Sequence, residues 1–311
     1  MGRRRRSTGQ DLDGVLVIDK PIGPTSHDVV ARVRRAAGQH RVGHTGTLDP
    51  AATGVLVVCL GRSTKLVRFL QAGRKTYLAR MVLGVETDSL DADGAVIARA
   101  DASHIDERRF CEALTGFQGD IEQLPPMVSA VKVGGERLHT KARRGEVVER
   151  ELRSVTIDDL VLDAFDPGEH PEASFLVTCS AGTYVRTLAH DLGQALGVGG
   201  SLIALRRLAN GPFVAEEAHD LEVVADAGAA GLLPELLLDP LAAISRAMPT
   251  VSVDDPDLVR RLTQGGSLPA FGRPGPVAVV TGARLVGIYA DRQDGDSARP
   301  ELVWTRPEEL E

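Results

Sequence analysis

Apolar residues fall along this chain in short runs, each closed by glycine, proline or a charged side chain. Residues 14–20 (Gly-Val-Leu-Val-Ile-Asp-Lys) and 55–60 (Val-Leu-Val-Val-Cys-Leu) are near-continuous apolar runs of strand length. Segments 75–83, 155–162 and 174–179 alternate as half-buried strands do, and 201–208 is a further strand-like run with Arg206 and Arg207 at its end. Helical spacing marks 26–37, with Ser26 as the expected N-cap, Val29, Val30 and Val33 inward, and Arg32, Arg34 and Arg35 outward. Residues 62–71, 105–116 and 181–196 are the other expected helices of this part, and 88–94 reads as a polar turn. Prolines and acidic residues around 233–256 read as a linker. Beyond it, a short helix at 258–264 and strands at 277–280, 285–290 and 302–304 predict a small β-rich C-terminal domain over 250–311. Strands and helices mix without a repeating βα pattern, so an α+β domain on a mixed, mostly antiparallel central sheet flanked by helices and loops is expected.

The chemistry concentrates in residues 43–54, Gly-His-Thr-Gly-Thr-Leu-Asp-Pro-Ala-Ala-Thr-Gly. Gly43, Gly46 and Gly54 are expected to permit unusual backbone angles, and Pro50 restricts Asp49 to an extended conformation. One carboxylate is thereby fixed in a rigid, accessible loop ahead of a buried strand. An isolated Leu-Asp-Pro is ordinarily a capped turn, so the assignment of Asp49 as catalytic depends on the rest of the chain.

With 311 residues, 43% of them hydrophobic, the chain fills a sizeable core. Three cysteines, Cys59, Cys111 and Cys179, have no CxxC spacing and fit reduced thiols in a cytosol. Arg3 to Arg6 lack a following apolar segment of the kind an export signal carries, and no run is long enough to cross a membrane, so a cytoplasmic protein without a membrane partner is expected. The net charge of −7 conceals an asymmetry: residues 1–80 hold fifteen Lys/Arg against five Asp, while the remainder is strongly acidic. A polyanion is drawn to the first part and repelled by the rest. Residues 1–11 read as a disordered basic tail. Segment 121–153 combines Pro125-Pro126 and Gly134-Gly135 with Lys132, Arg137, Lys141, Arg143, Arg144, Arg150 and Arg153. It reads either as a mobile insertion that clamps RNA or as an ordinary hairpin and solvated helix.

Five motifs occur together and in order: residues 14–21, the 44–50 loop, Lys75-Thr76-Tyr77, Gly182-Thr183-Tyr184-Val185-Arg186-Thr187 and Leu205-Arg206-Arg207-Leu208. In these the chain resembles the TruB family of tRNA pseudouridine synthases, over roughly 12–245, and 250–311 resembles the family's small PUA-like RNA-binding domain more loosely. The resemblance implies the pseudouridine synthase fold for 12–245 and conversion of the T-loop uridine at tRNA position 55 to pseudouridine. The base is turned out of the loop, detached at N1, and rejoined to the same ribose through C5. It also assigns residues. Asp49 matches the family's catalytic aspartate, Arg186 the arginine paired with it, and Tyr77 the tyrosine that stacks on the target base. His44 matches the residue that fills the vacated space, Tyr184 a second site tyrosine, and Leu205 an apolar pocket wall. Lys20 is expected to be structural or RNA-contacting. Arg32, Arg34, Arg35, Lys65, Arg68, Lys141, Arg143 and Arg144 are expected phosphate contacts.

Such an isomerisation requires no cofactor or metal. The chain carries no G-x-G-x-x-G opening a helix and no P-loop, and Gly43 interrupts the helix that a His40/His44 metal pair needs. The expected partner is the T-arm stem-loop of tRNA, bound by a monomer. The alternative is an RNA-binding or RNA-folding module with incidental or no isomerase activity. A hydrolase using His44 and Asp49 lacks a second acid or metal set.

Overall fold

The computed structural model describes residues 12–126, 148, 150–293 and 295–310, with the backbone of 132–133 and 136–137. The strands in chain order are β1 (Gly14–Lys20), β2 (Val42–His44), β3 (Thr53–Leu60), β4 (Lys75–Leu83), β5 (Val85–Thr87), β6 (Val96–Arg99), β7 (Gly119–Gln123), β8 (Lys132–Val133) and β9 (Glu136–Arg137). They continue with β10 (Arg153–Asp166), β11 (Glu172–Cys179), β12 (Gly200–Asn210), β13 (Phe213–Val214), β14 (His219–Asp220), β15 (Thr250–Ser252), β16 (Leu268–Pro269), β17 (Val277–Thr281), β18 (Arg284–Asp291) and β19 (Ser297–Val303). The α-helices are α1 (Ser26–Ala37), α2 (Val67–Leu70), α3 (Glu107–Thr115), α4 (Val185–Ala195), α5 (Leu221–Ala230), α6 (Pro240–Ala247) and α7 (Pro256–Thr263). Among the described residues no helix is long and apolar enough to cross a membrane.

Ten strands form one sheet in the order β14-β1-β3-β12-β4-β11-β10-β7, with β2 on β3 and β13 on β12. Only the β1–β14 and β3–β12 pairs are parallel, so the sheet is mixed and mostly antiparallel, as expected. The continuous apolar runs of β1 and β3 have a direct cause: both faces of the sheet are covered there. Leu16, Ile18, Leu56, Val58 and Leu60 enter a core under α1, α4 and α5, while Val15, Val17, Val55, Val57 and Cys59 enter a second core on the opposite face. Further along the sheet, β4 and β11 alternate strictly, with Tyr77, Ala79, Met81, Phe175 and Val177 buried. Helix α1 begins one residue earlier in role than the sequence suggests. Thr25, not Ser26, is the N-cap and forms a capping box with Asp28, which frees the Ser26 side chain for the neighbouring loop.

A separate five-stranded sheet, β15-β17-β18-β19-β16, makes up the C-terminal part. The expected linker at 233–256 is an ordered connection instead. Val15 and Leu238 exchange backbone hydrogen bonds at 2.9 and 2.8 Å, and α6 buries Ala243 and Ile244 in the second core beside Ala278, Leu285, Ile288 and Trp304. Its prolines serve helix starts, Pro240 and Pro256 each following an aspartate N-cap. The expected helix at 62–71 is a 3-10 turn, Gly61–Leu66, running into the short α2. At the other end of the central sheet, residues 121–123 of β7 pair with Arg153–Val155 of β10, so both ends of the basic segment 121–153 are sheet strands.

Candidate active site

The loop between β2 and β3 is held from several sides by buried side chains. Thr45 donates its backbone N–H to Val57 and receives a hydrogen bond from Asn210 Nδ2 at 2.9 Å. Ser26 Oγ accepts from the Leu48 N–H and donates to the Leu48 carbonyl. Lys20 Nζ donates to the carbonyls of Pro21, Pro50 and Ala52, and the Arg207 guanidinium to those of Gly46, Thr47 and Val55. Of the three loop glycines only Gly54 has a left-handed backbone, φ +100°, and a Cβ there would collide with the Arg207 backbone. The expectation of unusual angles at Gly43 and Gly46 is therefore corrected: Gly43 lies in β2, and neither has positive φ.

Out of this framework Asp49 projects a side chain that is 45% exposed, with Oδ2 3.2 Å from Arg186 Nη2. Arg186 itself is buried as the second residue of α4, and its Nη1 donates to Asp91 Oδ2 at 2.9 Å and to the Ser89 carbonyl at 3.3 Å. Burial raises the Asp49 pKa, Arg186 lowers it, Asp91 raises it and Lys20 lowers it, with a net rise. The carboxyl is thus more basic than an ordinary aspartate while still facing solvent.

Sequence reasoning missed Asp91. It passed as part of a polar turn, yet the turn is unusual: Leu90 has φ +65°, the one non-glycine residue with positive φ among those described. Such a backbone costs on the order of 1–3 kcal/mol and persists where surrounding contacts impose it. Here the Leu90 carbonyl accepts from Leu202 N, and Asp91 forms a β-bridge to Leu202, which together place the Asp91 carboxylate against Arg186. Ser26, Arg207 and Asn210 were missed as well, since their work is hydrogen bonding to backbone brought close by the fold.

A cleft of about 300 Å³ opens beside Asp49, lined by the 45–49 loop, Lys75, Tyr77, residues 180–186, Leu205 and Arg207. Tyr77 is buried at its floor, where burial raises the phenol pKa against the lowering charge of Arg207. Tyr184 sits at the N-cap of α4, its backbone N–H and carbonyl held by the side chain of the buried Gln123 at 2.9 and 3.3 Å. His44 is half-buried and meets His27 edge-on at 5.5 Å, with Nδ1 accepting from the Gly46 N–H. Burial, then the neighbouring His27 and Arg207, lower its pKa, so it is held neutral. Asp49, Arg186, Tyr77, Tyr184 and Leu205 thus share one cleft, with His44 on the adjoining strand.

Of the structural and RNA-contacting roles expected for Lys20, its surroundings fit the structural one. Lys20 is fully buried, its ammonium donates among the described residues to the backbone carbonyls of Pro21, Pro50 and Ala52, and burial lowers its pKa to about 8, with Asp49 opposing and Arg207 reinforcing that shift. Arg68 is exposed, with its guanidinium against the Glu301 carbonyl and carboxylate on β19. Arg32, Arg34, Arg35 and Lys65 are exposed. Lys141, Arg143 and Arg144 lie outside the described residues.

Two family models match adjoining parts of the chain: the TruB family pseudouridylate synthase N-terminal domain over 34–185 and the tRNA pseudouridylate synthase B C-terminal domain over 186–241. The chain belongs to the TruB family. The tRNA pseudouridine synthase B of Symbiobacterium thermophilum is 53% identical over 253 residues, covering 81% of this chain and 82% of that protein. That of Nocardia farcinica is 42% identical over 313 residues, covering 100% of this chain and 99% of its own length. Among solved structures, a chain of a Cbf5-Nop10-Gar1 complex superposes with a TM-score of 0.74 at 28% identity, over 95% of this chain and 86% of that one. A chain of an H/ACA RNP bound to a substrate RNA containing 2'-deoxyuridine gives 0.72 at 26% identity, with the same coverage. Family and neighbours agree with the pseudouridine synthase fold expected from the TruB motifs, and the β-rich C-terminal sheet is consistent with a PUA-like unit.

Proposed function

We propose that this chain isomerises a uridine of tRNA to pseudouridine, with the T-loop uridine at position 55 as target and Asp49 as the catalytic carboxylate. The observation that carries this reading is a half-exposed aspartate beside a buried arginine, at the edge of a cleft large enough for a turned-out base. The C1′–N1 bond breaks, the base rotates, and a C1′–C5 bond forms. The C5 proton is lost and N1 gains one, so atoms balance without a second substrate. As nucleophile on sugar or base, or as acceptor of a sugar proton, Asp49 acts in its ionised form. Arg186 favours that form and Asp91 keeps Arg186 in place.

The remaining roles follow the same reading. Extrusion of the base costs a few kcal/mol, repaid by stacking and polar contacts. Tyr77 stacks on the base, Leu205 and Tyr184 wall it, and His44 fills the space it leaves. Arg32, Arg34, Arg35, Lys65, Arg68, Lys141, Arg143 and Arg144 meet phosphates. Residues 12–245 form the catalytic unit and 250–311 a PUA-like unit. One chain supplies the whole Asp49 cleft, which supports action as a monomer, and we place it in the cytoplasm without a metal or cofactor.

The test is pseudouridine formation in an unmodified T-arm stem-loop transcript, wild type beside Asp49→Asn, with chelator present. Product from wild type alone is expected. Turnover by Asp49→Asn near the wild-type rate removes Asp49 from the chemistry, and binding without product in both stem-loop and full-length tRNA favours an RNA-binding module.

A further inference from the structure

Two adjacent arginines on β12 have opposite surroundings. Arg206 forms a two-pronged pair with the Asp19 carboxylate, at 3.0 and 2.6 Å. Arg207 points to the other face, is 1% exposed, and meets three carbonyls, at 2.7 Å from Nε to Val55, 3.2 Å to Gly46 and 3.4 Å to Thr47. Among the described residues no carboxylate lies within ion-pair distance of it. Carbonyl dipoles orient a guanidinium but leave its unit charge in place, and a buried cation without a counter-ion costs several kcal/mol. Such a cost is offset where negative charge develops nearby during a reaction.

The sheet register aims that charge. Arg207 is the partner of Gly54 on β3 and of Tyr77 on β4, so its side chain lies on the same face as the Tyr77 ring. Its three acceptors bracket Asp49 in sequence, with Gly46 and Thr47 before it and Val55 after. We propose that Arg207 is a positioning residue of this site, clamping the loop that carries Asp49 and orienting the Tyr77 hydroxyl through its uncompensated positive charge. Burial raises the Tyr77 pKa, and the positive charge of Arg207 acts on it in the opposite sense. The inference rests on the isomerase reading for its kinetic consequence, and on the shared sheet face for its effect on Tyr77.

Two measurements separate those grounds, made on the full chain as wild type, Arg207→Lys, Arg207→Met and Asn210→Ala. The first is the ¹³Cζ NMR signal of Tyr77, assigned with Tyr77→Phe, which needs no RNA. Arg207→Met is expected to move it, Arg207→Lys to move it less, and Asn210→Ala, which loosens the loop at Thr45 while keeping the charge, to leave it in place. The second is single-turnover pseudouridine formation at saturating T-arm RNA. Arg207→Lys retains the charge but not the three-carbonyl fork, so its rate is expected to fall about tenfold or more with the RNA Kd within about threefold of wild type. An unmoved Tyr77 signal in a natively melting Arg207→Met protein overturns the proposal, as does a loss of RNA affinity with an unchanged single-turnover rate. If Arg207→Met fails to fold, the Arg207→Lys rate and signal decide. Absence of product from wild type overturns the isomerase reading instead, and the NMR signal still decides the placement of Arg207.

Discussion

Ser26 holds both backbone groups of Leu48, accepting from its N–H at 2.8 Å and donating to its carbonyl at 3.0 Å. The first turn of α1 is thereby tied to the residue preceding Asp49, in a contact that excludes water. Ser26→Ala orphans a buried donor and a buried acceptor at once, at a cost of about 1–3 kcal/mol. The urea midpoint is expected to fall accordingly. The single-turnover rate is expected to drop about tenfold while RNA affinity holds, because the loop moves and the phosphate contacts do not. A rate equal to wild type in the folded variant shows that α1 does not help to place Asp49.

Asp91 competes with Asp49 for one guanidinium and repels it through space. Both effects favour the protonated Asp49, whose pKa is already raised by burial. Removing the Asp91 charge ends both effects and lowers that pKa, so Asp91→Asn is expected to shift the acid limb of the pH–rate profile to lower pH. The plateau falls as well, since Arg186 loses its anchor. Single-turnover rates from about pH 4 to 8 test this, and an acid limb that stays in place shows that the Asp91 charge has no effect at Asp49.

The elements that read clearly from sequence were those whose pattern has a local cause. Strands β1, β3, β4 and β11 and helix α1 follow from apolar runs and spacing, and the Asp49 loop follows from its motif. Asp91 and Arg207 did not read clearly, because their roles arise from residues 95 and 152 positions away, Arg186 and Val55. The span 233–256 misled for a related reason. Proline next to aspartate signals a turn and a helix start equally well, and only the second core decides for the helix of Pro240–Ala247. For Lys20 the sequence left a structural and an RNA-contacting role open, and its buried ammonium, fixed by three carbonyls, fits the structural one.

Buried titratable groups around the cleft and cores set the alkaline stability. Burial lowers Lys20 and Lys75 to about 8 from 10.5, so between those values the unfolded chain binds more protons and stability rises with pH. Cys59 and Cys179, pushed by burial from 9.0 to about 12 and about 11, have the opposite sign and lower stability above pH 9. Tyr289, raised by burial from 10.0 to about 12, adds to that decline. Urea midpoints are expected to rise from about pH 8 to 9, level off, and fall above about 10. In Lys20→Met the initial rise is expected to shrink. A steady fall from pH 8 in wild type refutes this assignment of the lysines.

Trp304, the single tryptophan of the chain, lies 8% exposed in the core that also contains Val15, Val57 and Phe69 of the central sheet and α2 region. The Arg62 guanidinium covers its ring at 4.7 Å and forms a two-pronged pair with Glu309 at 2.8 and 3.2 Å. A C-terminal sheet that shares a core with the catalytic sheet cannot unfold without exposing apolar surface on both, so the two are expected to melt together. Tryptophan fluorescence reports the C-terminal contact and far-UV circular dichroism the whole chain, and their transitions are expected to coincide. Trp304→Ala removes a large buried ring, at a cost of about 3–5 kcal/mol, and is expected to lower the midpoint of the entire dichroism transition. A fluorescence change that precedes the dichroism change, or a Trp304→Ala melt that splits in two, shows instead that the C-terminal sheet is an independent unit resting on the catalytic one.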